Sequence, residues 1–255
     1  MRRDWTTSVE EVMDSLHVLV EQGKVLYLGI SDTPAWVVSA MQTYAIRANK
    51  TPIAIYQGRW VCPSLSFSSA SACISTCTDS SQNVMTRDFE REIIPMARYF
   101  GMALAPWDVL GGGKFQSKKA MEARKKAGEG LRAFGPAEQT PEQVEVSEAL
   151  TKVAVEHSIE SVTTIALAYV RAKVPNVFPI IGGRKVEHLH DNIKALSIKL
   201  TKEQVEFLES HTKFDVGFPM NFVGNDAGIT GQSGPITAGL AKIEYITDNK
   251  PFGLA

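Results

Sequence analysis

The 255-residue chain is short of several things, and each shortage removes a class of function. Its formal net charge is −1, so no global field draws it to nucleic acid or an anionic membrane surface. No basic stripe with interleaved aromatics appears, which argues further against nucleic acid as a partner. No apolar run is long enough to span a bilayer. The opening MRRDWTTSVEEV has basic residues but no apolar core behind them, so it does not read as a signal peptide. A cytoplasmic location is the default expectation. There are three cysteines, Cys62, Cys73 and Cys77, all in one short segment, and no histidine lies between Lys50 and Gly130. A zinc site would want more ligands, so no metal is expected.

What is present is ordinary for a soluble globular protein: 44% hydrophobic and 22% charged residues. The length suits one large domain or two small ones. The Lys-rich stretch 117–126 reads as a solvated helix face.

Apolar spacing predicts a helix over 7–22, with Val9, Val12, Met13, Leu16, Leu19 and Val20 on one face and Gly23 ending it. Further helices are expected over 34–48, 89–100, 142–157, 162–173, from 186, and over 202–210. Short apolar runs at 25–30, 53–56, 102–105 and 177–181 read as buried strands, with a long loop over 114–139 and a Gly-rich, irregular tail. Short apolar strands alternating with amphipathic helices mean a parallel sheet covered by helices. Two architectures satisfy that order, a doubly wound sheet and a (β/α)8 barrel, and both gather ligands at the strand ends.

The most informative stretch is VFPIIGGRKVEHLHDNIKAL, residues 177–196. A strand ends at Ile181, Gly182 and Gly183 let backbone approach a ligand, and a new helix presents free N–H groups. Arg184 and Lys185 add cations at the mouth, and Arg can grip a phosphate with two parallel hydrogen bonds. A phosphate-bearing small molecule is the expected ligand. A phosphate-type turn after the last strand favours the barrel, where loops after strands 7 and 8 commonly hold phosphate.

LGISD, IYQGRW, RDFEREIIPMARYFGMALAPWDVLGGG and FPIIGGRKVEHLHDNIKAL together resemble the aldo-keto reductases, and among them the fungal aryl-alcohol dehydrogenases and norsolorinic acid reductase. The resemblance runs from Asp4 to about Phe218. It implies a (β/α)8 TIM barrel and the reduction of aldehydes or ketones with NADP(H). By resemblance, Ser31, Asp32 and Gln57 hold the nicotinamide carboxamide. Asp32 departs from the family's Asn, since a carboxylate only accepts hydrogen bonds where Asn also donates. Trp107 is placed to stack on the nicotinamide, and Asp108, Leu110 and Gly111 belong to the loop passing the pyrophosphate. Gly182, Arg184, Lys185, His188, Asp191 and Asn192 match the adenosine and 2′-phosphate clamp. Taken singly, each has a plainer reading: Trp107 as a core aromatic, Ser31 and Gln57 as satisfying strand-end backbone, Gly182-Gly183 as a turn, His188 as a surface residue. The conjunction of four strand-end motifs in order carries the assignment.

The resemblance also implies a proton-donating tyrosine supported by a lysine, an aspartate and a histidine, all from the first four strands. Asp4-Trp5-Thr6-Thr7-Ser8 resembles the segment just past strand four, and Met1 falls where the histidine would be. No catalytic residue is therefore assigned. The expectation is an N-terminally truncated barrel: about strands 5–8 plus a C-terminal helix within residues 1–218, then an irregular tail over 219–255. Only four of eight strands can be counted, and a half barrel leaves two sheet edges unpaired.

Residues 61–82, VCPSLSFSSASACISTCTDSSQ, hold eight serines and all three cysteines. They interrupt the resemblance between Trp60 and Asn83. They read as a Ser-rich surface insertion or, favoured here, as a retained intron. Val61-Cys62 fits a donor site, Thr78-Asp79 a branch sequence and Gln82 an acceptor. Three functions stay open: an NADP(H)-dependent oxidoreductase acting on an aryl aldehyde or polyketide ketone, a non-catalytic NADPH-binding module, and a non-functional fragment. A small carbonyl compound is the expected partner, and the oligomeric state is left open.

Overall fold

The computed structural model describes residues 6–59, 84, 87–126, 128, 139–183, 185–235, 237–240, 243–247 and 250–255. The serine-rich segment 61–82, with its three cysteines, lies outside the described residues, as does Arg184.

Helix α1 (Val9–Glu21) starts where the Ser8 hydroxyl accepts the Glu11 N–H at 3.1 Å. Glu10 and Glu11 sit in the favourable first turn. Strand β1 (Leu28–Ser31) is shorter than expected. Val25 N–H is still bonded to the Leu19 carbonyl, so the chain leaves the helix later than its apolar pattern suggests. Helix α2 (Ala35–Arg47) leads to β2 (Ile53–Arg59), which runs longer than expected.

The single helix expected over 89–100 is instead a 3₁₀ turn, Asp88–Glu90, followed by helix α3 (Ile93–Tyr99). Pro95 explains the break: it lacks an N–H, and its ring excludes a helical carbonyl four residues earlier. Strand β3 (Ala103–Trp107) follows, then a second 3₁₀ turn at Gly111–Gly113.

The stretch expected as a loop over 114–139 contains helix α4 (Lys118–Lys126). Helices α5 (Pro141–Glu156) and α8 (Lys202–Ser210) each begin with a reciprocal cap, Thr140 with Gln143 and Thr201 with Gln204. Between them lie α6 (Val162–Lys173) and α7 (Val186–Lys194). The tail is less irregular than expected. It holds two short helices, α9 (Met220–Val223) and α10 (Ala227–Thr230), and its end returns to the body. There Leu200 N–H donates to the Gly253 carbonyl and Ala255 N–H to the Leu200 carbonyl, both at 2.9 Å.

The sheet is parallel, in the order β1-β2-β3, with Ser31 opposite Gln57 and Gln57 opposite Ala105. The expected fourth strand over 177–181 is not a full strand. It meets β3 only at two bridges, Leu104 with Val177 and Trp107 with Ile180. Phe178 N–H donates to the Leu104 carbonyl at 2.7 Å and Ile180 N–H to the Pro106 carbonyl at 2.8 Å. Pro106 has no N–H to return to the Phe178 carbonyl, so the ladder does not close into continuous pairing. Among the described residues the sheet therefore has three strands, not four.

One core cluster lies between the sheet and α1–α3, built on Met13, Ile30, Val37, Met41 and Leu104. A second surrounds α6, which is buried along almost its whole length, packs against α5 and α7, and reaches α8 through Tyr169 and Glu209. Beside it sits a charged cluster. Arg87 reaches Glu90 at 2.8 Å and Glu209 at 3.1 Å, Lys173 reaches Glu90 at 3.2 Å and also contacts Glu209, and Tyr169 donates to Glu209 at 2.9 Å. The Phe214 ring covers the Arg87 guanidinium at 4.5 Å.

No helix among the described residues is long and apolar enough to cross a membrane. The described residues contain no group of three or more side chains that could hold a metal ion.

Candidate functional site

Strand β3 delivers Trp107 to the C-terminal edge of the sheet, half-buried. The next residue, Asp108, takes a left-handed φ of 61°, which turns the chain back across the strand end. Gly111, Gly112 and Gly113 continue the reversal with φ of 57°, 61° and 89°. A side chain at three successive left-handed positions would cost roughly 1 kcal/mol or more at each, so the glycine run is what makes this turn available. The Gly111 N–H closes on the Asp108 carbonyl at 2.9 Å and the Gly113 N–H on that of Leu110 at 3.0 Å. Lys114 follows directly and is 3% exposed.

The opposite wall is Ile180, Ile181, Gly182 and Gly183, leading into α7. A β-carbon on Gly183 would lie 2.9 Å from the His188 β-carbon, so glycine lets this loop close on the helix. The two walls enclose a cleft of about 300 Å³. It brings together Trp107, Asp108, Leu110, Gly182, His188, Asp191 and Asn192, all expected from the sequence. Asn192 is buried, and the Asp191 carbonyl accepts the Thr164 hydroxyl at 3.1 Å, which fixes α7 on α6. The Asp191 carboxylate pairs with Lys194 at 3.3 Å.

Gly111 is buried within the turn and does not line the cleft. Neither does Lys185, whose exposed side chain stands at the N-cap of α7. Arg184 lies outside the described residues.

Three cleft residues escaped sequence reasoning: Gln116, Arg124 and Thr163. Arg124 comes from α4, with Nη1 donating to the Gly113 carbonyl at 3.4 Å. Its Lys-rich stretch reads in the sequence as a solvated face. The signal that could have found it is Met121 three residues earlier, an apolar neighbour on the same side of the helix. Thr163 stands in the first turn of α6, whose N-cap residue Ser161 makes no side-chain cap bond and pairs with the Thr163 hydroxyl at 3.0 Å.

Ser31, Asp32 and Gln57 form a second group along the same edge of the sheet, none of them lining the cleft. Ser31 Oγ donates to Asp32 Oδ2 at 3.3 Å, and Asp32 N–H donates to the Gln57 carbonyl at 3.0 Å. Asp32 also has a left-handed φ, 48°. Behind this group Tyr56 donates to the Thr33 carbonyl at 2.9 Å. Burial, and then the negative charge of Asp32, push the Tyr56 phenol up to about 12. It is a structural tyrosine with its proton held, and no tyrosine among the described residues lines the cleft.

The aldo/keto reductase family model matches residues 2–213. A protein of Saccharomyces cerevisiae named a probable aryl-alcohol dehydrogenase is 60% identical over 243 residues, 95% of this chain and 67% of that protein. An aryl-alcohol dehydrogenase [NADP(+)] of Phanerodontia chrysosporium is 47% identical over 225 residues, 87% of this chain and 53% of that protein. The chain thus spans about half to two thirds of the length of these relatives. Among solved structures, a thermostable aldo-keto reductase in complex with the inhibitor epalrestat superposes with a TM-score of 0.55. It is 22% identical, over 82% of this chain and 56% of that one. That likeness is one of fold.

Proposed function

The chain belongs to the aldo/keto reductase family, and on that premise we propose that it forms the dinucleotide-binding part of an NADP(H)-dependent oxidoreductase acting on aldehydes and ketones. The observation that carries this reading is the layout of the cleft. The cleft is lined by an aromatic, Trp107, and by the left-handed Gly112 and Gly113. The first turn of α6, the loop entering α7 and Arg124 stand around it.

These parts fit a ligand with a flat ring, a pyrophosphate and an adenosine. Backbone at Gly112 and Gly113 can approach phosphate oxygens without side-chain interference. Helix N-termini and a guanidinium stabilise anionic charge. Asn192 and His188 offer donors and acceptors to a base or ribose. By resemblance, Arg184 and Lys185 extend the anionic end toward a 2′-phosphate, the feature that separates NADPH from NADH. The bound dinucleotide supplies hydride for carbonyl reduction. This chain's own residues bind and orient it, while Ser31, Asp32 and Gln57 are placed to face its carboxamide.

No residue here is assigned the role of protonating the carbonyl oxygen. The resemblance implies a tyrosine for that step, with a lysine, an aspartate and a histidine, and matches none of them to a residue described here. The substrate reading, an aryl aldehyde or polyketide ketone, rests on likeness to the relatives.

The test is a calorimetric titration of the purified chain with NADPH and NADH, in the wild type and in Arg124→Ala. NADPH should bind at least about tenfold tighter than NADH, and Arg124→Ala should weaken it roughly fivefold, less so at high salt. Absence of binding to either nucleotide would defeat the proposal. Binding without turnover of an aromatic aldehyde would identify a non-catalytic module.

A further inference from the structure

Helix α7 is bare on one side. Val186, Leu189 and Ile193, with Leu196 in the turn that ends the helix, are 66%, 54%, 52% and 59% exposed. None of the four lines the cleft. Their spacing of three, four and three residues places them in one stripe along the helix. The side of α7 that packs inward is a different one. Asn192 and Ala195 are buried, and the Asp191 carbonyl accepts the Thr164 hydroxyl. No other described helix exposes more than two large apolar side chains. Apolar surface gains free energy on leaving water, and a contiguous apolar patch of this kind marks an interaction site.

The residue types within the stripe narrow down its occupant. Positions 186, 189, 193 and 196 are the a and d positions of two heptads, with the β-branched Val186 and Ile193 at a and Leu189 and Leu196 at d. In parallel coiled coils that choice favours two strands over three or four. Such a seam is complementary to itself, so a second copy related by a two-fold axis presents the same residues in return. The exposed flanking positions hold Lys185, His190 and Ser197, one formal cation per copy with His neutral and no acid, so little charge opposes the pairing. The four side chains offer roughly 400 Å² of apolar surface per copy, half of the ~800 Å² that each partner brings to a standard interface, which with a polar rim suits a weak dimer in the micromolar range. We propose that α7 is a self-association face whose occupant is the α7 stripe of a second copy of this chain. The stripe is separate from the cleft, so the proposal does not depend on what the cleft binds.

The experiment is analytical ultracentrifugation of the full chain in reducing buffer, from about 1 to 200 µM, a range that brackets a micromolar association. The wild type is compared with Leu189→Glu, Leu189→Gln and Ile46→Glu. Ile46 is 59% exposed on α2 and receives the same kind of change away from the stripe. A circular dichroism melt checks the fold of each variant, and should Leu189→Glu melt early, Leu189→Gln carries the comparison. The wild type should pass from monomer to dimer across the range. Leu189→Glu should weaken the dimer at least about tenfold and Leu189→Gln about threefold, while Ile46→Glu leaves it unchanged. A wild type that stays monomeric at the top of the range overturns the proposal, as it would if a different polypeptide covers the stripe. So does a dimer that both Leu189 variants leave intact, or one that Ile46→Glu weakens as much as they do.

Discussion

Two polar regions of this chain use charge in opposite ways. Around Arg87, Glu90, Lys173 and Glu209, two cations meet two carboxylates with side chains only 15–17% exposed. Phe214 caps one side, and Tyr169 donates its hydroxyl from within the core. Every charge there faces an opposite charge. At the strand ends and cleft, Asp32 and Asp108 sit on left-handed backbone and the cleft stays open. The first region joins the segment after β2 to α6 and α8 and holds the fold together. The second keeps polar groups and strained backbone available for a ligand, as strained positions commonly do at binding sites.

The strongest way to break that contrast is to remove one partner of the buried cluster. Glu209→Ala leaves Arg87, Lys173 and Tyr169 without their shared acceptor and should lower unfolding stability by about 3 kcal/mol. Dinucleotide affinity of the folded protein should stay within about twofold, read by denaturant melts beside calorimetry. The same cluster sets a pH window. Burial pushes the Glu90 carboxyl up, but the Arg87 hydrogen bond and the Lys173 charge more than offset it, leaving it below the ordinary 4.5. Its stabilisation is present above 4.5 and is lost as pH falls through the lower folded value. Burial, then the Glu209 charge, raise the Tyr169 phenol well above 10.0. That contribution is present below 10.0 and is lost as pH rises through the folded value. Melting temperature should therefore plateau between these limits, with the acid flank reduced in Glu90→Gln and the alkaline flank in Tyr169→Phe.

The reverse experiment belongs to the cleft. Gly183→Ala sets a β-carbon 2.9 Å from that of His188, so the first turn of α7 must shift. Nucleotide affinity should fall roughly tenfold while stability drops by about 1 kcal/mol. Equal losses in both would show that the cleft is part of the scaffold after all. The smallest effect is expected at the surface. Lys194→Ala removes the exposed partner of Asp191 and should cost no more than about 0.5 kcal/mol, with little change in binding.

The cleft was largely legible in the sequence because its parts are local. Trp107 through Gly113 is one continuous turn and Gly182 through Asn192 one loop and one helix, so each wall is local in sequence, while the resemblance is what joined the two walls into one site. Helices α6 and α8 were readable to the residue because their apolar positions repeat, and α8 also opens on a reciprocal cap. What could not be read depended on partners distant in the chain. Arg124 looked like one more cation in a solvated run until α4 was laid against Gly113. The charged cluster joins residues as far apart as 87 and 209, and no periodicity announces such a meeting. The break at Pro95 and the lapse of pairing at 177–181 came from missing N–H groups, which apolar patterning ignores.

Those missing donors have a consequence for solubility. The margin of a parallel sheet invites another polypeptide to add itself as a strand, the first step toward fibrils. Pro179 sits on that outer segment, between Phe178 and Ile180, whose N–H groups are both taken by β3. The segment that could template such growth is short of the hydrogens that growth needs. Pro179, on the side of the segment turned away from β3, thus guards against fibrillar self-assembly.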